Sequence, residues 1–109
     1  MNNCSELLKE KLKQYSVEQI IFTKHALEQA IFRDVNLEEI KQNIINPFRL
    51  TYALSQDANN PSEQKYDCYF KYSNTQCQRY NLIVNHNCIV CTVIKINRRW
   101  QKQIERRLK

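Results

Sequence analysis

Between residues 22 and 48 the apolar positions fall into two helical stripes with a break between them. Ala26, Leu27, Ala30 and Ile31 recur at helical spacing, and Leu37, Ile40, Ile44 and Ile45 do so again. Each stripe has its own start signal. Thr23 stands where a side-chain oxygen accepts from the free amides of a first turn, with Phe22 and Leu27 at the positions of a hydrophobic staple. Asn36 and Glu39 have the spacing of a capping box, and Val35 and Ile40 that of a second staple. Asn46-Pro47 closes the second helix, because the residue before a proline is pushed out of the helical region. The pattern predicts two short helices joined by a tight turn at Asp34-Val35-Asn36.

On either side the period changes. Residues 5–14 read as a charged helix with Ser5 as its cap and Leu7, Leu8 and Leu12 on one side. Residues 16–19 suit a helical turn and residues 19–22 a short strand, and both readings stand. Residues 48–54 have strand composition, while 55–65 show no apolar period and read as a loop. Tyr66, Cys68, Phe70 and Tyr72 then alternate with Asp67, Tyr69 and Lys71, and Tyr80, Leu82 and Val84 with Arg79, Asn81 and Ile83. Residues 88–96 are apolar on both faces, Cys88, Val90, Ile94 and Ile96 against Ile89, Cys91 and Val93, which predicts an internal strand. Trp100, Ile104 and Leu108 return to helical spacing. The expectation is one α+β domain over residues 1–109, with N-terminal helices packed on an antiparallel sheet of about four strands. Residues 1–16 would be a helical extension, 20–97 the core, and 98–109 a basic amphipathic C-terminal helix.

The helical pair also carries a resemblance. F-T-K-H-A-L-E-Q-A, the tight turn, and V-N-L-E-E-I-K-Q-N-I-I-N-P resemble the opening of a family of small domains of unknown function. That family is similar in architecture to the RelE, ParE and BrnT toxins, small basic proteins of which several cleave messenger RNA. Covering roughly residues 20–97, the resemblance implies a RelE-like fold, a strand at residues 19–22, and RNA as ligand or substrate. It also implies an antitoxin partner protein.

Charge sharpens this picture. The net charge of +6 resides in residues 95–109, where Lys95, Arg98, Arg99, Lys102, Arg106, Arg107 and Lys109 face Glu105 alone. Localised positive charge points to an anionic partner, RNA first and DNA as the alternative. Arg98, Arg99, Lys102, Arg106, Arg107 and Lys109 are the candidate nucleic-acid contacts, and a partnerless solvated helix is the plain alternative. A module that mediates protein interaction or oligomerisation is a further reading. No apolar run approaches the length of a membrane span and no signal peptide opens the chain, so a soluble cytoplasmic protein is expected. Five cysteines without a secretory signal read as reduced thiols. Glycine is absent, which excludes glycine-rich phosphate loops and dinucleotide fingerprints, and assigns tight turns to Asp and Asn, with Asn74, Asn85 and Asn87 placed for hairpins.

Candidate chemistry follows. His25 sits at the second position of its helix, where the dipole favours the neutral imidazole that a general base requires. Local hydrogen bonding and packing between helix and sheet is the plainer explanation and the one preferred. The RelE resemblance adds Arg79 and Lys95, with tyrosines such as Tyr80, as groups to activate a 2′-hydroxyl, stabilise the in-line transition state and protonate the leaving oxygen. No cofactor is implied. Cys88-x-x-Cys91 has the spacing of half a zinc knuckle, yet on a regular strand those thiols point to opposite faces. Glu38 and Glu39 are accounted for by the helix start and the capping box.

Overall fold

The computed structural model describes residues 4–56, 63–73 and 76–97. Three helices, α1 (Ser5–Leu12), α2 (Lys24–Phe32) and α3 (Leu37–Ile45), accompany strands β1 (Ile20–Phe22), β2 (Leu50–Gln56), β3 (Gln64–Lys71), β4 (Gln76–Val84) and β5 (Cys88–Asn97). The strands form one sheet in the order β1-β5-β4-β3-β2. The α+β class is therefore as expected, but the sheet has five strands and is mixed. β1 lies parallel to β5, with Ile20 opposite Cys88 and Phe22 opposite Val90, and every other pairing is antiparallel. Both open readings of residues 16–22 hold, since a 3-10 turn over Val17–Gln19 leads directly into β1.

The helices share one face of the sheet. Leu8 and Leu12 from α1, Ala26 and Ala30 from α2, and Ile40 and Ile44 from α3 bury against Leu50, Ala53, Cys68, Phe70, Tyr80, Leu82 and Val90. Alanines at the α2 contact let its backbone lie close to β5. Gln29 Oε1 accepts from the Val93 amide at 2.8 Å, tying the middle of α2 to a break in the ladder. On the opposite face Tyr52, Leu54, Tyr69 and Cys77 form a second buried cluster. Among the described residues no helix is long and apolar enough to cross a membrane.

Local signals at the helical pair are realised closely. Thr23 Oγ1 accepts from the Ala26 amide at 3.1 Å, and Asn36 Oδ1 from the Glu39 amide at 3.2 Å. Asp34, at φ 54°, is the one described residue in the left-handed region and makes the turn that glycine commonly makes elsewhere. Asn85 and Asn87 make the β4–β5 turn as expected, but through a side-chain bond, Asn85 Oδ1 accepting from the Asn87 amide at 3.1 Å, and not through a positive φ. Three other expectations change. Cys4, not Ser5, precedes the first turn of α1, with its amide donating to Ala53 O at 2.8 Å. Leu7 and Ile31 leave their stripes for solvent, being 76% and 79% exposed. Residues 47–49 turn as a 3-10 segment, so β2 starts at Leu50 and Phe48 projects outward. The C-terminal helix expected over residues 98–109 lies outside the described residues.

Two irregularities reset the faces. The register shifts between Leu50 and Tyr52 in β2, and between Val90 and Thr92 in the β4–β5 pairing. Cys91 is the extra residue, so Val93 joins Cys88 and Val90 on the helix-covered face, and Ile94 and Ile96 turn away with Ile89. Strict alternation had paired these residues differently.

Candidate nucleic-acid interface

The residues expected to act together are dispersed. Arg79 lies on the sheet face away from the helices, its side chain 32% exposed, with Nε donating to Asp67 Oδ1 at 2.6 Å. Its guanidinium stands 5.7 Å from the Tyr69 ring centroid. Burial works against the Arg79 charge, but the hydrogen bond and charge of Asp67 outweigh it and raise the pKa. Tyr80, the next residue along β4, points the other way and is fully buried. Lys95 is exposed on the helix side, where Nζ donates to Asp34 O at 3.3 Å beyond the end of α2. Arg79 and Lys95 thus cannot meet on one phosphate, because the sheet separates them. His25 is exposed at the opposite end of α2, about 13 Å away at 1.5 Å per residue. Arg98, Arg99, Lys102, Arg106, Arg107 and Lys109 lie outside the described residues.

A different set converges. Pro47 ends α3 and starts the 3-10 turn, which brings Phe48 and Arg49 to the end of β3. Arg49 Nη1 donates to the carbonyls of Lys71 and Tyr72 at 3.3 and 3.1 Å. The guanidinium lies 5.2 Å from the Phe48 ring centroid and 5.4 Å from that of Tyr72, a cation flanked by two aromatic rings. Phe48 is 76% exposed and Tyr72 41%. Three surface depressions, of about 500, 490 and 230 Å³, all border Phe48. The middle one runs between α3 and this stack, with Glu39, Gln42, Asn43 and Asn46 along its wall. Lys9 and Lys13 line the first depression and Lys71 the smallest.

Behind that wall runs a polar chain. Tyr72 Oη donates to Glu39 Oε2 at 3.0 Å, and Gln78 Nε2 to Glu39 Oε1 at 2.7 Å. Tyr80 Oη donates to Gln78 Oε1 and accepts from Asn43 Nδ2, the latter at 2.9 Å. The Glu39 hydrogen bond, and then its charge, raise the Tyr72 pKa, so the phenol stays protonated. Burial does the same for Tyr80. The cleft therefore offers an exposed ring, a stacked cation and a carboxylate fixed by two protein donors, Tyr72 and Gln78. That combination suits a planar ligand carrying an anionic backbone.

The sequence singled out none of Glu39, Phe48 or Arg49 as a site residue, and it set Tyr72 only among the tyrosines around Arg79 and Lys95. Glu39 looked spent on a capping box, yet only the Asn36 half of that box forms, and the carboxylate turns to Tyr72 and Gln78 instead. No local signal marked Phe48 for exposure, since residues 48–54 have strand composition.

The thiols form no comparable centre. The bulge at Cys91 removes the alternation argument against Cys88 and Cys91, but among the described residues no three metal-ligating side chains cluster. Burial, then the charge of Cys91, pushes the Cys88 thiol up to about 12. Compared with family models, curated proteins and solved structures, the chain finds no match in any of the three.

Proposed function

We propose that this chain binds single-stranded RNA, with a base stacked on Phe48 and the adjoining phosphates held by Arg49 and nearby lysines. The observation that carries the reading is the Phe48–Arg49–Tyr72 stack, exposed at the junction of three depressions. Aromatic platforms beside guanidinium groups bind unpaired bases without needing a duplex. Splayed bases of this kind are the usual target of proteins that recognise RNA. DNA single strands offer the same π-faces and remain the alternative. β5 ends at Asn97 opposite Gln76, whose carbonyl accepts from the Tyr72 amide at 3.1 Å. The basic stretch from Arg98 to Lys109 follows in the chain from that end of the sheet and adds phosphate contacts in this reading. A RelE-like fold with a basic C-terminal helix and an antitoxin partner belong to the same proposal, resting on the resemblance of the helical pair.

Metal-independent cleavage is the second reading. What favours it is Arg79, a half-exposed guanidinium fixed by Asp67 and able to stabilise phosphorane-like charge.

The test is fluorescence anisotropy with labelled single-stranded RNA in EDTA, over a series of salt concentrations. Phe48→Ala should weaken binding by about 1–3 kcal/mol, the usual worth of one base–aromatic stack. Arg49→Ala should weaken it too and flatten the salt slope by about 0.7. Wild-type affinity in both variants would overturn the proposal. A shortened strand in the wild-type sample, absent with Arg79→Ala, would support cleavage, and intact RNA in both would remove it.

A further inference from the structure

We infer that the wall of this cleft selects guanine. The inference rests on the proposed RNA-binding site and concerns which base it accepts. Glu39 is its centre. Each carboxylate oxygen accepts from one protein donor, Oε1 from Gln78 at 2.7 Å and Oε2 from Tyr72 at 3.0 Å. An ionised carboxylate accepts about four hydrogen bonds, so acceptor capacity remains on both oxygens. The protein donors fix the group in place, and the side chain lines the depression beside Arg49 and Tyr72.

A fixed carboxylate asks for two donors side by side. On their pairing edges the bases differ in just this respect. Guanine presents N1–H and an N2 amino hydrogen next to each other, which matches both oxygens of a carboxylate. Adenine and cytosine each offer one amino donor beside a ring-nitrogen acceptor, and uracil one N–H between two carbonyls. With any of these three, at least one lone pair would face Glu39, and an acceptor set against a carboxylate is repelled and leaves a hydrogen bond unmade. Gln42 and Asn46 line the same wall, with Asn46 Nδ2 donating to Gln42 Oε1 at 3.1 Å. That bond leaves the Gln42 amide hydrogens to meet the guanine O6 carbonyl. Stacking at Phe48 and Arg49 supplies affinity for any base, and Glu39 supplies the choice.

The test compares wild-type protein on uridine-rich oligonucleotides that differ at one central nucleotide: guanosine, inosine or adenosine. Inosine lacks only the N2 amino group. Guanosine should bind at least about tenfold more tightly than inosine, the discrimination typical of one charge-assisted hydrogen bond. Adenosine should be no better than inosine. In Glu39→Gln the guanosine-to-inosine ratio should collapse to about one, because the amide presents a donor where an acceptor stood. A thermal melt monitors that variant, and the analogue series on wild type does not depend on its folding. Equal binding of all three oligonucleotides would overturn guanine selection and leave RNA binding standing. Titration with guanosine and inosine monophosphates separates the two sources of a guanine. Preference for guanosine monophosphate with no oligonucleotide binding would place the specificity on a free nucleotide and reject the RNA reading. Failure of every oligonucleotide and of both nucleotides would overturn both.

Discussion

Glu39 shows how one side chain serves a different master from the one its neighbours suggest. Its position three residues after Asn36 fits a reciprocal cap, and Asn36 does accept from its amide. The carboxylate nonetheless anchors Tyr72 and Gln78, and through Gln78 the buried Tyr80 hydroxyl. Tyr80 itself links two nearly inaccessible amides, Asn43 at 5% exposure and Gln78 at 2%. Tyr80→Phe keeps the ring against Phe70 but takes the hydroxyl partner from Asn43 Nδ2 and Gln78 Oε1. The expected cost is about 1–3 kcal/mol, read as a lower urea midpoint. A change below about 0.5 kcal/mol, the range of surface substitutions, would show that the hydroxyl is not needed there. The sequence placed Tyr80 on the correct face of its strand, because alternation is local. It offered no sign that Asn43, in the middle of a predicted apolar stripe, would be its partner.

Elements whose cause is local were legible, and elements whose cause is tertiary were not. Caps, stripes and the proline stop define α2 and α3 within a few residues, so both appear where the pattern put them. β1 is readable as a short strand, but three residues are too few to show its parallel pairing with β5, which lies far along the chain. The bulges at Thr51 and Cys91 are fixed by the pairing itself and leave no periodic trace. The cleft is not legible in the sequence for the same reason, since α3, the Pro47–Arg49 turn and the end of β3 meet only in the folded chain. The α2–α3 turn is the element most open to a simple test. Asp34 holds φ 54°, a region that costs an L-residue about 1–2 kcal/mol and a β-branched one more. Asp34→Val should lower the melting temperature, while Asp34→Gly should hold or raise it. Equal melting temperatures for the two would mean the turn relaxes to another conformation.

At the scale of the whole molecule, helices on one face and a second apolar cluster on the other place thiols and phenols where ionisation is disfavoured. Burial first, and then the charge of Asp67, pushes Tyr69 up to about 12. Burial, with Cys88 next, does the same for Tyr15, and Cys68 is raised well above 9.0. These groups keep their protons in the folded state after the unfolded chain has lost them. Their contribution is complete below about pH 9 and is lost as pH rises toward 12. For a largely buried thiol such as Cys88, each pH unit in that window is worth on the order of 1.4 kcal/mol. Urea midpoints should be flat from pH 7 to about 9 and fall steeply above it. A midpoint that holds steady to pH 11 would contradict these placements.

Phe48, Arg49 and Tyr72 form a stack that borders open depressions at one corner of the described fold. The most direct measurement is ultraviolet cross-linking of the protein to single-stranded RNA carrying photoreactive 6-thioguanosine, followed by peptide mapping. Cross-links at Phe48 and Tyr72, lost in Arg49→Ala at the same RNA concentration, are the predicted result. Cross-links confined to residues 98–109, or none at all, would contradict the assignment of the cleft as the site where RNA is held.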